Sequence, residues 1–113
     1  MKSKRCLKIV TVFLSLVFSV VSSAGEVTWI DVRSSEEFSE EHVPDALNIP
    51  YEEIDAGVTR LGLQKDDVIY LYCRSGRRSG IAKDSLDKLG YTQVVNLGGL
   101  DAALAKAQGA PPN

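Results

Sequence analysis

The chain has 113 residues, 44% of them hydrophobic and 25% charged, and its 13 basic and 15 acidic side chains leave a formal net charge of −2. That length holds one small domain with a single core. The balance excludes a protein that grips nucleic acid or an acidic membrane through bulk positive charge.

Lys2, Lys4, Arg5 and Lys8 open the chain. Residues 9–21 follow as an apolar run of 13, interrupted only by Thr11, Ser15 and Ser19, and Ser22, Ser23 and Ala24 close it with small side chains. A basic start, a short apolar stretch and small residues are the layout of a cleavable secretory signal, here residues 1–24 with the cut after Ala24. The run is shorter than the roughly 20 residues of a helical membrane span. No Cys stands at the junction, so a lipid-modified N-terminus is not expected. Cleavage removes four of the 13 basic residues and none of the 15 acidic ones, leaving nine against 15 and a balance of −6 for the periplasmic or secreted domain. Cys6 leaves with the signal. Cys73 is then the single thiol, which rules out an internal disulfide, and with His42 the single imidazole no Cys/His zinc centre can be assembled.

The expected domain covers residues 25–108, with 109–113 as a flexible tail. Residues 27–32 read as a strand. Ser34 and Glu37 have capping-box spacing, so a helix begins there and ends near Glu41. Residues 46–49 form a short strand closed by Pro50, and 52–61 a short helix weakened by Gly57. Residues 68–72, Val-Ile-Tyr-Leu-Tyr, are a strand buried on both faces. Residues 79–89 are the clearest helix, with Ile81, Ala82, Leu86 and Leu89 as its apolar stripe and Gly90 as its stop. Residues 93–97 are a further strand, Gly98-Gly99 a tight turn, and 100–107 a last helix with Leu100, Ala103, Leu104 and Ala107 on one face.

Strands alternating with helices imply an α/β fold, a small parallel sheet with helices on both faces. Ligands of such sheets bind beyond the carboxyl ends of the strands. Cys73 follows a strand and lies at that rim; Asp31 and Arg33 close another and share it. His42 precedes its strand, which puts it at the opposite rim.

Cys73 is flanked by the strand and by Arg74-Ser75-Gly76-Arg77-Arg78. Gly76 permits a curl in which backbone N–H groups turn inward as an anion nest, and the following helix adds its positive end. With the arginines, these groups favour thiolate over a thiol whose ordinary pKa is near 8.5. A fall of about two pH units corresponds to roughly 2.7 kcal/mol. Cys73 is therefore the candidate nucleophile. Arg74, Ser75, Gly76, Arg77, Arg78 and Ser79 are the candidate substrate-binding residues, the arginines by charge, Ser75 and Gly76 by backbone amides, and Ser79 also as a helix cap. From Cys73 to Arg78 the spacing is C-x4-R, one residue shorter than the C-x5-R of cysteine phosphatases. The tighter cradle favours sulfur transfer over phosphoryl transfer.

Tyr72-Cys73-Arg74-Ser75-Gly76-Arg77-Arg78-Ser79 resembles the active-site loop of rhodanese-type sulfurtransferases. Ile30-Asp31-Val32-Arg33, Glu37-Phe38, His42-Val43-Pro44, Ala46 and Asn48-Ile49-Pro50 resemble the family's other segments, as do Gly90-Tyr91, Val94, Asn96 and Leu97-Gly98-Gly99-Leu100. The resemblance spans nearly all of the expected mature chain and is nearest to small secreted single-domain members of the phage-shock-protein E type. Asp45 stands where the family usually has Gly; Asp tolerates unusual backbone angles better than most residues. The strand at Trp29 starts almost at once after the signal, without the helix-bearing segment of larger members, so one sheet edge is expected to be less covered.

The resemblance implies thiosulfate as donor, a Cys73 persulfide, and a small nucleophilic acceptor such as cyanide or a thiol, with no cofactor, metal, nucleic acid or membrane partner after signal cleavage. A carrier or anion-binding module serving a partner protein is the alternative, and a phosphatase or arsenate reductase on the same fold the third. Among the remaining residues, Arg33 is expected to be held to Glu37, His42 to be a hydrogen-bonded structural histidine, and Trp29 and Tyr70 to be core. Glu36, Glu37, Glu40 and Glu41 read as a solvated helix face.

Overall fold

Residues 26–109 are described by the computed structural model of the protein. The expected signal and residues 110–113 of the expected tail lie outside them.

Four strands form one parallel sheet in the order β2-β1-β3-β4. They are β1 (Val27–Asp31), β2 (Leu47–Asn48), β3 (Val68–Tyr72) and β4 (Gln93–Asn96). The helices are α1 (Ser35–Glu40), α2 (Ile54–Leu61), α3 (Arg77–Lys88) and α4 (Leu100–Ala107), with a 3-10 turn, Tyr51–Glu53, leading into α2. β1 and β3 pair along their whole length, Val27 opposite Val68 and Asp31 opposite Tyr72. Pairing runs on past the strands at the carboxyl rim. Val32 donates to the Tyr72 carbonyl, Leu97 to Leu71 and Cys73 to Gly98, so the loops of the rim are stitched to one another.

Side chains alternate across a strand, and β3 shows why its sequence is apolar throughout. Ile69, Leu71 and Cys73 join Ile30, Val32, Val58, Ala82 and Leu86 in a core beneath α2 and α3. Tyr72 faces the other way, into a smaller core with Val43, Ala46 and Ala103 beneath α1 and α4. The second layer is the thinner one. Trp29 and Tyr70 meet edge-to-face with ring centroids 5.0 Å apart, but both are half-buried rather than core. The edge strands expose Leu47 and Val95.

Several expected boundaries shift. The second strand shrinks to Leu47–Asn48. Gly57 of α2 is buried, and a Cβ there would lie 2.6 Å from Ile49 Cγ2, so it is where that helix packs against the chain leaving β2. On α3 only Ala82 and Leu86 of the expected stripe are buried; Ile81 and Leu89 are largely exposed, and Ser79 takes the buried position one turn earlier. Asp45 adopts φ 71°, the left-handed conformation that its resemblance to a glycine position anticipates. His42 is at the rim opposite Cys73, lining a cleft with Val27, Trp29 and Leu104. Its Nδ1 lies 2.8 Å from the Phe38 carbonyl and its ring stacks on Phe38.

Candidate active site

Cys73 leaves β3 and the chain curls at once into α3. Gly76 makes the curl possible: it sits at φ 102°, left-handed, immediately before the helix, and any Cβ on it would crowd Gly98 Cα at 3.3 Å. Its N–H turns back to Cys73 Sγ at 2.9 Å. The Ser79 hydroxyl lies 3.5 Å from the same sulfur. Cys73 is 1% exposed and borders hydrocarbon on its core side. That burial pushes the thiol pKa up. The Ser79 hydroxyl and the amides of Ser79, Gly76 and Ser75 more than reverse it, and the pKa lies below the ordinary thiol value. The amide nest read from the sequence is therefore present.

The three arginines of the loop are placed differently from one another. The Arg78 guanidinium grips Glu37, Nη1 to Oε1 at 2.9 Å and Nη2 to Oε2 at 3.1 Å. Arg74 is 70% exposed and lies 3.5 Å from the same carboxylate. Arg77, the first residue of α3, is exposed. Ser79 is not a cap, because α3 starts two residues before it; it lies inside the first turn with its hydroxyl buried against the sulfur. The groups at hydrogen-bonding distance of the sulfur are thus an amide and a hydroxyl, and of the arginines Arg78 acts on it through its charge.

Glu37 is not part of a solvated face. It completes the capping box of α1, its Oε1 accepting from the Ser34 amide at 3.0 Å, and it also takes Arg78 from α3. The Arg78 guanidinium, helped by Ser34, holds its pKa down to about 2. One carboxylate so ties the first turn of α1 to the loop after Cys73. Arg33 is consequently not held by Glu37. Its Nε and Nη2 clasp the Asp31 carboxylate, Nη2 to Oδ2 at 2.7 Å, and Nη2 also donates to the Glu41 carbonyl. Both partners are buried, and the guanidinium carbon lies 5.8 Å from the Tyr72 ring centroid. Arg33 also lines two clefts that open against the loop. One, of about 500 Å³, is shared with Arg74, Ser75, Gly99 and Leu100; the other, of about 340 Å³, with Ser34, Tyr51 and Arg78.

Sequence reasoning quoted Asn96 only as a residue of the family resemblance and gave it no role, yet it braces the loop from β4. Its Nδ2 donates to the Gly76 carbonyl at 3.0 Å, and its Oδ1 accepts from Ser79 at 2.7 Å and from the Gly98 amide at 2.9 Å. Gly99 was read only as a turn, yet a Cβ on it would collide with the Arg74 carbonyl. The backbones of the two loops touch there.

The profile of the rhodanese-like domain matches residues 21–106 of the chain. The chain belongs to the rhodanese-like family. Its similarity to the thiosulfate sulfurtransferase PspE of Escherichia coli is 45% identity over 97 residues, covering 85% of this chain and 92% of that protein. A putative sulfur carrier protein of Bacillus subtilis, YrkF, is 35% identical over 77 residues, covering 68% of this chain and 40% of the carrier. Among solved structures, a rhodanese with anions from E. coli superposes with a TM-score of 0.65 at 43% identity, covering 67% of this chain and 89% of the other. The rhodanese-like fold thus accounts for the parallel sheet and both helical layers. Among the described residues of this domain no helix is long and apolar enough to cross a membrane, and no cluster of His, Cys, Asp or Glu is arranged to hold a metal.

Proposed function

We propose that this rhodanese-type sulfurtransferase draws the outer sulfur of thiosulfate onto Cys73 and passes it to a nucleophilic acceptor, cyanide or a thiol, outside the cytoplasm. The observation that carries the reading is the Cys73 sulfur facing the Gly76 amide and the Ser79 hydroxyl at the foot of α3. A thiolate held by the Gly76 N–H, and by the Ser79 hydroxyl once its proton turns to the sulfur, needs no general base. It attacks the outer sulfur of thiosulfate, the S–S bond of the donor breaks, and its electron pair leaves with sulfite. The product is a Cys73 persulfide whose negative charge sits on the terminal sulfur. The acceptor attacks that sulfur, and the Cys73 thiolate is regenerated. The amides of Ser75 and Gly76 hold the charge that moves along this axis.

The oxyanion end of thiosulfate suits the cleft shared by Arg33, Arg74 and Ser75. Arg33 brings a guanidinium already oriented by Asp31, and Arg74 an exposed one whose nearest carboxylate, that of Glu37, is 3.5 Å away. Arg78 acts through Glu37, holding the loop rather than the anion. The test is to incubate the protein with thiosulfate and measure intact mass. One added sulfur is expected, lost again on cyanide addition and never gained by Cys73→Ser. A wild-type protein that gains no sulfur overturns the reading.

The likeness to a putative sulfur carrier supports a second reading, in which the persulfide is handed to a partner protein. Steady-state turnover of thiosulfate with cyanide separates the two: a carrier loads once and stops. Export rests on the basic, apolar and small residues of positions 1–24. Cleavage after Ala24, read from the N-terminal sequence of the protein recovered outside the cytoplasm, tests it.

A further inference from the structure

Ser79 is wholly buried, and its hydroxyl has three neighbours that can accept a hydrogen bond: Asn96 Oδ1 at 2.7 Å, the Gly76 carbonyl at 3.2 Å and Cys73 Sγ at 3.5 Å. A hydroxyl has one proton. The Asn96 carboxamide has one workable orientation, because its Oδ1 meets the Gly98 N–H and its Nδ2 meets the Gly76 carbonyl. Turned over, it would set N–H against N–H and oxygen against oxygen. Oδ1 can only accept, so the Ser79 proton lies on the shortest of the three lines. The Ser79 oxygen, not its proton, is then what the sulfur meets. That arrangement suits a thiol donating its own S–H; it does not suit a thiolate.

We infer that Asn96 is a positioning residue for the Cys73 sulfur: its locked carboxamide competes with the sulfur for the single Ser79 proton. When Cys73 ionises, the hydroxyl turns about its Cβ–Oγ bond and gives the proton to Sγ, while Asn96 Oδ1 keeps the Gly98 amide. When a persulfide forms, the charge moves outward by one S–S bond, about 2 Å, and the proton returns to Asn96. The competition disfavours charge on Sγ and favours its passage to the terminal sulfur. Without the proton between them, Ser79 Oγ and Asn96 Oδ1 repel at 2.7 Å and draw slightly apart, which adds to the cost of charge on Sγ. The other groups around Cys73 do not duplicate this role. On its core side Cys73 belongs to a cluster of buried hydrophobic residues. Of the cations, Arg78 is tied to Glu37 and acts on Cys73 through its charge without donating to the sulfur, and Arg74 and Arg77 are exposed. The proposal rests on Cys73 being the reacting sulfur.

The test is a double-mutant cycle on the thiol titration. The rate of iodoacetamide alkylation at Cys73, followed by peptide mass spectrometry, is measured against pH for wild type, Ser79→Ala, Asn96→Ala and the double variant. Asn96→Ala loosens the loop in either background, and that part cancels in the cycle. Competition for the proton predicts that Asn96→Ala moves the Cys73 pKa lower, by about half a pH unit, in the Ser79 protein than in the Ser79→Ala protein. Equal movement in both backgrounds overturns the proposal. Should Asn96→Ala fail to fold, the Asn96 side-chain amide NMR signals in the unsubstituted protein serve instead. They are expected to titrate with Cys73 and to stop doing so in Ser79→Ala; titration unchanged in Ser79→Ala overturns the proposal. Neither measurement uses a sulfur donor. A protein that titrates in this way yet takes no sulfur from thiosulfate would sink the sulfur-transfer reading and leave the proton competition standing.

Discussion

At Cys73 two effects oppose each other, and the outcome depends on a few polar atoms. Burial disfavours the thiolate; the Ser79 hydroxyl and three amides favour it and prevail. Ser79→Ala should therefore raise the thiol pKa by about half to one pH unit, shown by the midpoint of alkylation rate against pH. Asp31 and Arg33 form the other single-residue device. They lie two positions apart and so on one face of the extended chain, and each is the other's partner in a buried pair. Asp31→Ala leaves a buried guanidinium uncompensated, and a loss of about 3–5 kcal/mol is expected in urea unfolding. The sequence reading placed both residues on the active rim but did not pair them. Choosing Glu37 as the partner of Arg33 went wrong because Glu37 is claimed by Arg78, 41 positions away, a distance no local pattern reports.

At the scale of elements, the loop after Cys73 is held from two sides. Glu37 ties it to the start of α1, and the Gly98-Gly99 segment following β4 lies against its backbone. Glu37→Gln keeps the shape and removes the charge. It should cost about 1–2 kcal/mol in thermal or urea unfolding. Gly99→Ala pushes a methyl group into the Arg74 carbonyl. The loop must shift to admit it, and the rate of sulfur uptake from thiosulfate should fall by roughly tenfold or more, since small misplacements of a reacting group are costly. Stopped-flow or quenched mass measurements of persulfide formation check this. A rate equal to wild type would mean that the two loops are not braced against each other.

For the whole molecule, the depressed Glu37 pKa fixes the sign of one pH effect. Its folded value of about 2 lies below the ordinary 4.5. Such a carboxylate stabilises the fold above about pH 4.5, and that contribution is withdrawn as pH falls from 4.5 toward 2. The melting temperature should drop over that window, and less steeply in Glu37→Gln; parallel acid profiles for the two proteins would contradict the assignment. Alternation of strands and helices and the Cys73 loop on the carboxyl rim were determined by the sequence, because each follows from local periodicity or chain direction; the left-handed turn at Asp45 was anticipated by the resemblance to a family position usually held by glycine. Tertiary structure alone decided which arginine meets which carboxylate, that Gly57 and Gly99 are points of close packing, and that Asn96 stands over Ser79. Those contacts join residues from separate strands and helices, and their geometry exists only once the parallel sheet has brought the ends of β1, β3 and β4 side by side.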